Sequence, residues 1–162
     1  AIAWNWHNAG DLGFSREKLF VMGHSAGGHL TSRMMSTDWR AFDAELPADL
    51  VRGGVPISGL YELEPLVHTS LNNGPQMDIA EAVAESPTFI PPITNASQFV
   101  VVGGGETAEF LRQSDDYSAK FATAERSMER YDVPDADHFD ELERLAEDDS
   151  VFFEKSMQLI MN

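Results

Sequence analysis

The segment Lys18–Leu30, which reads KLFVMGHSAGGHL, constrains this chain more than any other. The apolar run Leu19–Met22 predicts a buried strand, and the residues after the glycines have helical spacing. Between them lies the motif G-x-S-x-G, with Ser25 at its centre. At a strand-to-helix junction this motif indicates a strained turn from which the serine hydroxyl projects. We expect glycine at Gly23 and Gly27 because a side chain there would crowd helix against strand. The alternative is a plain Gly- and Ser-rich turn.

The length and composition are those of a globular protein. The 162 residues suffice for a sizeable core, and we predict a single domain over residues 1–162. No apolar run approaches the length of a membrane helix, and no basic start precedes an apolar stretch. We therefore predict a cytoplasmic protein with no membrane partner. The chain contains no cysteine, which excludes disulfides, thiolate metal sites and a cysteine nucleophile.

The charge is strongly negative. Asp and Glu number 27 against 11 Lys and Arg, for a formal net charge of -16. Such a surface repels phosphate backbones, so we predict no nucleic-acid partner. An excess of carboxylates with few lysines also suits a salt-rich medium, where self-repulsion is screened. A marine or salt-tolerant source is the corresponding hypothesis.

Strand-like and helix-like segments alternate along the chain. This order predicts an α/β fold with a mostly parallel sheet of about four strands flanked by helices. Right-handed crossovers place the carboxyl ends of all strands at one edge, where ligands bind in open α/β sheets. The predicted strands are Leu19–Met22, Val51–Ser58, Gln98–Gly103 and Arg126–Val133. One predicted helix directly follows Ser25, and the other main predicted helices cover about 77–84, 108–124, 139–147 and 150–161.

A serine hydroxyl needs a base to take its proton, and the base needs a carboxylate to orient it. On sheets of this kind the chain order is serine, acid, histidine. His138 is the histidine that follows both the serine and an acid at a strand end. We expect the side chain of His24 to point away from that of Ser25, and His29 to be a packing histidine. The remaining histidines are His7 and His68.

Glu106 is the predicted acid because it follows the most strand-like segment of the chain. Asp115 and Asp116 lie within a predicted helix and fit a solvated face. Asp132 lies inside a predicted strand, and Asp137 adjoins the predicted base. The alternative role for Glu106 is a helix N-terminal carboxylate, which the helix dipole favours. Both roles can hold at once.

Hydrolysis through an acyl-enzyme also needs backbone donors for the oxyanion. The N–H of Ala26, at the start of the helix after the serine, is one predicted donor. A second donor normally comes from a Gly-rich loop after an earlier strand, and no such loop precedes Ser25. The tract Gly103–Gly105 follows the strand that carries the acid, so its position does not match that role.

Four stretches together resemble the alpha/beta hydrolases of the kynurenine formamidase (arylformamidase)-like esterase group. They occur in the family's order and read GHSAGGHL, ISGLYELEPL, VVVGGGETAEFLRQS and DADHFDELERL. The resemblance implies that Ser25, Glu106 and His138 form a triad, with glutamate in place of the usual aspartate. It also implies that His24, Leu60 and Tyr61 line the substrate pocket. Relatives carry several strands ahead of the serine strand, so the resemblance implies a truncated or minimal form of the fold.

The function predicted from these residues is a carboxylesterase that cleaves short-chain esters, with no metal or cofactor. Hydrolysis of an aryl formamide such as N-formylkynurenine uses the same triad and stays open. A third possibility is an inactive domain that only binds or assembles. By the family's strand order the serine strand would have an unpaired edge, a pairing site, so we predict a homodimer or higher homo-oligomer.

Overall fold

A computed structural model describes residues 1–161. Four parallel strands form one sheet in the order β1-β2-β3-β4, with β1 and β4 at its edges. The predicted α/β class and the four-stranded parallel sheet are confirmed. The strands are β1 Phe20–His24, β2 Gly53–Ile57, β3 Ser97–Gly103 and β4 Met128–Val133.

β1 runs further toward the serine than its apolar run indicates. His24 pairs with Ile57 of β2, and the amide of Ser25 then donates to the Ile57 carbonyl at 2.8 Å. The ladder with β2 therefore carries strand geometry through Gly23 and His24 up to the turn. The apolar pattern of the sequence does not predict this extension, because the extension depends on backbone pairing with β2.

Helices connect and cover the strands. The N-terminal segment forms two short helices, and short helices also form at 39–42 and 64–67. The helices are α1 Ile2–His7, α2 Ala9–Leu12, α3 Ala26–Met35, α4 Trp39–Phe42, α5 Glu64–Val67, α6 Ile79–Glu85, α7 Ala108–Phe121, α8 Asp140–Leu145 and α9 Val151–Met161. Among residues 1–161, none of the helices combines the length and apolar character needed to cross a bilayer.

The core is built around β3, whose side chains alternate between two buried faces. Phe99 and Val101 pack in a cluster with Phe152 of α9 on one face. Val100 packs in a cluster with Tyr117 of α7 on the other. Burial on both faces explains why β3 reads as a continuous apolar run. A rigid β3 fixes the position of the loop that begins at Gly104.

Candidate active site

The turn after β1 holds Ser25 in a strained backbone conformation. Ser25 has φ +57° and ψ −116°, a region that non-glycine residues rarely adopt. A Cβ on Gly23 would lie 2.4 Å from the Gly27 carbonyl oxygen, so only glycine fits there. The expectation for Gly27 is wrong, because a Cβ there meets nothing within 4 Å. The crowded position is Gly28, whose Cβ would lie 2.7 Å from the carbonyl oxygen of Ile57.

The turn places a backbone donor beside the serine. Ala26 is the first residue of α3, so its amide has no carbonyl partner within the helix. The positive end of the helix dipole also lies there. An oxygen anion formed next to Ser25 would therefore meet the Ala26 N–H.

Glu106 is buried and fully engaged, with only 2% of its side chain exposed. Its Oε2 lies 2.8 Å from Nδ1 of His138, and its Oε1 accepts from the Gly103 amide at 3.1 Å. The hydroxyl of Ser58 also donates to Oε1. Three groups thus hold the carboxylate in one orientation facing the imidazole. Glu106 also lies two residues before the first residue of α7. Its side chain therefore contacts His138 and at the same time lies near the N-terminus of that helix.

Ser58 was not predicted as part of the site. It follows β2 directly, has φ +42° and is fully buried. Its amide donates to the carbonyl of Val101 at 2.8 Å, which carries the β2–β3 ladder one residue past the strand. Its position at a strand's carboxyl end is the signal that could have identified it.

A glycine tract positions the loop that carries His138. A Cβ on Gly103 would lie 2.6 Å from the carbonyl oxygen of Ala136 and 2.8 Å from that of Asp137. The amide of Gly105 also donates to the Ala136 carbonyl at 2.9 Å. Gly103–Gly105, which do not match the position of an oxyanion loop, therefore allow the turn after β4 to pack closely on the end of β3. That close packing brings His138 within reach of Glu106.

The imidazole of His138 lies next to the serine turn. Its ring centroid is 4.5 Å from that of His24, the residue before Ser25, and 4.9 Å from the ring of Phe110. β1 and β4 are separated by two strands, so the loops, rather than the strands, bring the two groups together. No hydrogen bond joins Ser25 to His138 among residues 1–161. Such a contact commonly tightens only once substrate is bound.

The residues assigned to the substrate pocket have different surroundings. Leu60 is half-buried, whereas Tyr61 is fully buried and its ring stacks on Tyr117 at 4.3 Å between centroids. Burial holds the pKa of Tyr61 well above its usual range. Tyr61 is thus a core side chain and does not face a ligand in this conformation. Its amide donates to Oε1 of Gln113 at 2.8 Å, which fixes the segment behind Leu60.

The side chain of His24 contacts the loop that carries His138. Its Nε2 lies 2.7 Å from the main-chain oxygen of His138 and 3.2 Å from Oε1 of Glu141. Ligand atoms of His24, His138 and Glu141 come within 4.8 Å of one another, a spacing a cation could bridge. Both histidines are already hydrogen-bonded within the chain, so the grouping is explained without a cation.

Three of the other candidate residues lie outside the site, namely Asp115, Asp116 and His29. Asp115 and Asp116 are exposed and pair with Arg130 and Arg112, as a solvated helix face would. His29 is half-buried, and its Nε2 lies 2.9 Å from the carbonyl oxygen of Glu85. A surface cavity of about 630 Å³ lies at the amino ends of the strands, away from all these groups.

The chain is similar in sequence to two kynurenine formamidases. The chain is 33% identical to the kynurenine formamidase of Salmo salar over 137 residues, 81% of this chain and 46% of that protein. It is 29% identical to that of Danio rerio over 147 residues, 88% of this chain and 49% of that one. The chain thus spans about half the length of these curated relatives. No protein-family profile matches it.

Solved structures share the fold. A candidate thioesterase from Silicibacter sp. TM1040 superimposes with a TM-score of 0.72 at 31% identity, over 91% of this chain and 53% of that one. An arylesterase superimposes with a TM-score of 0.63 at 23% identity, over 85% of this chain and 50% of its own. At that identity the second likeness concerns the fold alone.

Proposed function

We propose that this chain, which belongs to the kynurenine formamidase-like esterase group of the alpha/beta hydrolases, is a serine hydrolase with Ser25 as nucleophile. The observation that carries the proposal is the contact of the buried Glu106 carboxylate with His138, beside the strained Ser25 turn. A carboxylate on Nδ1 fixes the tautomer whose Nε2 can accept a proton. His138 then has the chemistry of a general base at the place where the turn presents a hydroxyl.

The proposed reaction proceeds in two steps. Ser25 Oγ attacks the acyl carbonyl while His138 takes the hydroxyl proton, and the Ala26 N–H stabilises the resulting oxyanion. The tetrahedral species collapses when His138 returns the proton to the leaving oxygen or nitrogen. This gives an acyl-serine and a free alcohol or amine. Water then attacks the acyl-serine by the same route and releases the carboxylic acid.

Short-chain carboxylic esters are the proposed substrate class, which makes the chain a carboxylesterase. The longest connection between described strands, residues 58–96, carries the short helices α5 and α6, of four and seven residues. No long helix that would form a lid occurs in it, which favours an open site and small acyl groups. The half-buried Leu60 is the proposed apolar contact for the substrate.

An aryl formamide is the second candidate substrate. Both curated relatives named above are kynurenine formamidases, and this observation favours the formamide. The two substrates need the same nucleophile, base and acid. Rates on an aryl formamide and on the matching aryl acetate, measured with one preparation, decide between them.

Substitution of Ser25 by alanine tests the proposal. We expect Ser25→Ala to abolish hydrolysis of p-nitrophenyl acetate and labelling by a fluorophosphonate, which reacts only with an activated serine. Ser15→Ala, at an exposed serine, is the matched control and should retain both. Hydrolysis at the original rate by Ser25→Ala would refute the assignment. Failure of the unmodified chain to hydrolyse and to label would instead indicate a binding or assembly module.

The proposal includes a homo-oligomer in which a second copy covers β1. β1 is an edge strand, and it borders an apolar groove of about 530 Å³. Met22, Leu30 and Phe42 line this groove with 42%, 57% and 71% of their surface exposed. An exposed apolar strand edge is a pairing site. A second copy that covers this face would also be a source of the second oxyanion donor.

A preceding segment of a longer polypeptide is the alternative occupant of this groove, since the chain spans about half of its relatives. Light scattering at micromolar concentration separates the two alternatives. A monomer with full activity would overturn the homo-oligomer.

A further inference from the structure

His24 joins the serine turn to the loop that carries the base. It directly precedes Ser25, and its Nε2 lies 2.7 Å from the main-chain oxygen of His138, 114 residues away in sequence. A carbonyl oxygen can only accept, so the hydrogen of the His24 imidazole is on Nε2. This hydrogen bond holds the backbone of the base, whereas Glu106 holds its side chain.

Glu141 lies against the same nitrogen. It is fully buried in α8, and its Oε1 is 3.2 Å from Nε2 of His24. Neither carboxyl oxygen has a well-aligned hydrogen bond among the described side chains. A buried carboxyl in such surroundings is costly to ionise. Residues used only for packing at such a depth are usually apolar, so the carboxyl calls for a specific explanation.

Burial disfavours the charged form of both members of the contact. Burial raises the pKa of Glu141 to about 8, and the negative charges of Glu106 and Asp137 raise it further. The Ser58 hydroxyl and the Gly103 amide act in the opposite direction. Burial likewise lowers the pKa of His24, against the effect of the His138 carbonyl. At the 3.2 Å approach, burial therefore favours a contact between neutral groups over an ion pair. The Nε2–H of His24 already donates to the His138 carbonyl, and Oε1 of Glu141 is a second, less well-aligned acceptor for the same hydrogen.

We propose that His24 and Glu141 form a positioning pair that holds the loop bearing His138 against the Ser25 turn. Two acceptors facing Nε2, the His138 carbonyl and Glu141, favour one tautomer of His24 and one orientation of its ring. The base is then fixed from two sides, by Glu106 at Nδ1 and by His24 at its carbonyl. This inference rests on the proposed function, since it assigns a role in positioning His138 as a base.

Replacement of His24 by residues of equal length tests the pair. His24→Gln keeps an N–H donor near the position of Nε2, whereas His24→Met has a similar reach and no donor. We expect kcat/KM to fall about 10- to 100-fold in His24→Met, because small displacements of a reacting group have effects of that size. His24→Gln should restore most of the loss. A role in packing alone would affect the two variants alike.

Glu141 is tested in the same way. Glu141→Gln keeps a carbonyl acceptor in the neutral form, and we expect its kcat/KM at pH 7 to stay within about threefold of the original, since an amide is close in shape to a neutral carboxyl. Glu141→Leu removes the acceptor and should lower kcat/KM, as His24→Met does. His29→Phe is the control, because it removes a histidine that also contacts a main-chain carbonyl. It should change kcat/KM by no more than about twofold.

A second measurement does not depend on activity. The hydrogen-bonded Nδ1 proton of His138 can be followed by proton NMR. We expect a sharp signal in the unmodified chain and in His24→Gln, and a signal broadened by exchange in His24→Met. If the unmodified chain proves inactive, the proposed function fails, and this signal still decides whether His24 orders the base.

The inference is overturned if His24→Met keeps both its kcat/KM and a sharp Nδ1 signal. It is also overturned if His24→Met and His24→Gln lose activity equally. Should His24→Met fail to fold, Glu141→Leu against Glu141→Gln gives the same contrast from the other side of the pair.

Discussion

Nδ1 of His138 lies 2.8 Å from Oε2 of Glu106, although 32 residues separate the two in sequence. The carboxylate is oriented by the Gly103 amide and the Ser58 hydroxyl, so it can face the imidazole without competing water. A fixed carboxylate at this position selects the tautomer of His138 that leaves Nε2 free to accept a proton. The proposed chemistry therefore depends on the charge of Glu106 as well as on its shape.

Glu106→Gln should lower kcat about 10³- to 10⁴-fold with little change in KM, because an amide favours the wrong tautomer of the base. Steady-state kinetics on the ester measures this loss. Glu64→Gln, at an exposed glutamate, is the control and should have no effect. A loss of less than about tenfold would show that Glu106 is not the orienting acid.

Gly103→Ala should displace the base loop. The added Cβ would lie 2.6 Å from the carbonyl oxygen of Ala136, so the turn after β4 must move away from β3. We expect a loss of about 1–3 kcal/mol in the free energy of unfolding, as for other overpacked sites, together with a large fall in kcat. Denaturant unfolding and ester kinetics measure the two effects.

Gly74→Ala is the matched control for that substitution. A Cβ on Gly74 meets nothing within 4 Å, and its φ of −81° suits any residue. Stability and activity should both be unchanged. Equal behaviour of the two alanine variants would contradict the role of Gly103 in seating the base loop.

Glu141→Gln should remove a pH dependence of stability. The pKa of Glu141 is raised by burial from 4.5 to about 8 in the folded chain. Between these values the unfolded chain releases this proton and the folded chain keeps it, so the free energy of unfolding falls as pH rises. The slope is at most about 1.4 kcal/mol per pH unit, and the total is on the order of a few kcal/mol.

Denaturant unfolding at pH 5 and at pH 8 tests this dependence. Relative to the original chain, Glu141→Gln should gain stability at pH 8 and gain little at pH 5. Glu143→Gln lies on the exposed side of the same helix and provides the control. An equal effect of Glu141→Gln at both values would show that Glu141 ionises normally.

Met22→Lys should disrupt the proposed assembly. Met22 lies on the β1 edge within the apolar groove, and a lysine there would bring charge into the covered surface. We expect light scattering to show a shift from oligomer to monomer. Leu71→Lys, at another exposed apolar residue outside the groove, should leave the assembly intact. Dissociation by both variants, or by neither, would count against this surface.

Local pattern accounts for much of the fold. The β-branched run of β3 and the strand–glycine–serine–helix junction at Ser25 are determined by neighbouring residues, which is why the sequence predicts them. The contact of Glu106 with His138 also follows from chain order, because parallel strands bring their carboxyl ends to one edge. The catalytic roles of these residues remain predictions.

Side-chain surroundings depended on elements distant in sequence. The segment around Tyr61 has no pattern that distinguishes a pocket from a core, and packing on Tyr117 places its ring in the core. Ser58 likewise has no motif of its own. Which glycine is crowded, Gly28 rather than Gly27, depends on where β2 ends relative to α3.

The sequence by itself determined the α/β class, the serine turn and the order of the three reactive groups, since these depend on local propensity and connectivity. The tertiary structure alone decided how the base loop is held. Gly103 against Ala136, and His24 with Glu141 against His138, are contacts between the ends of different strands and a helix. Their distances follow from sheet register and packing, which residues close in sequence do not specify.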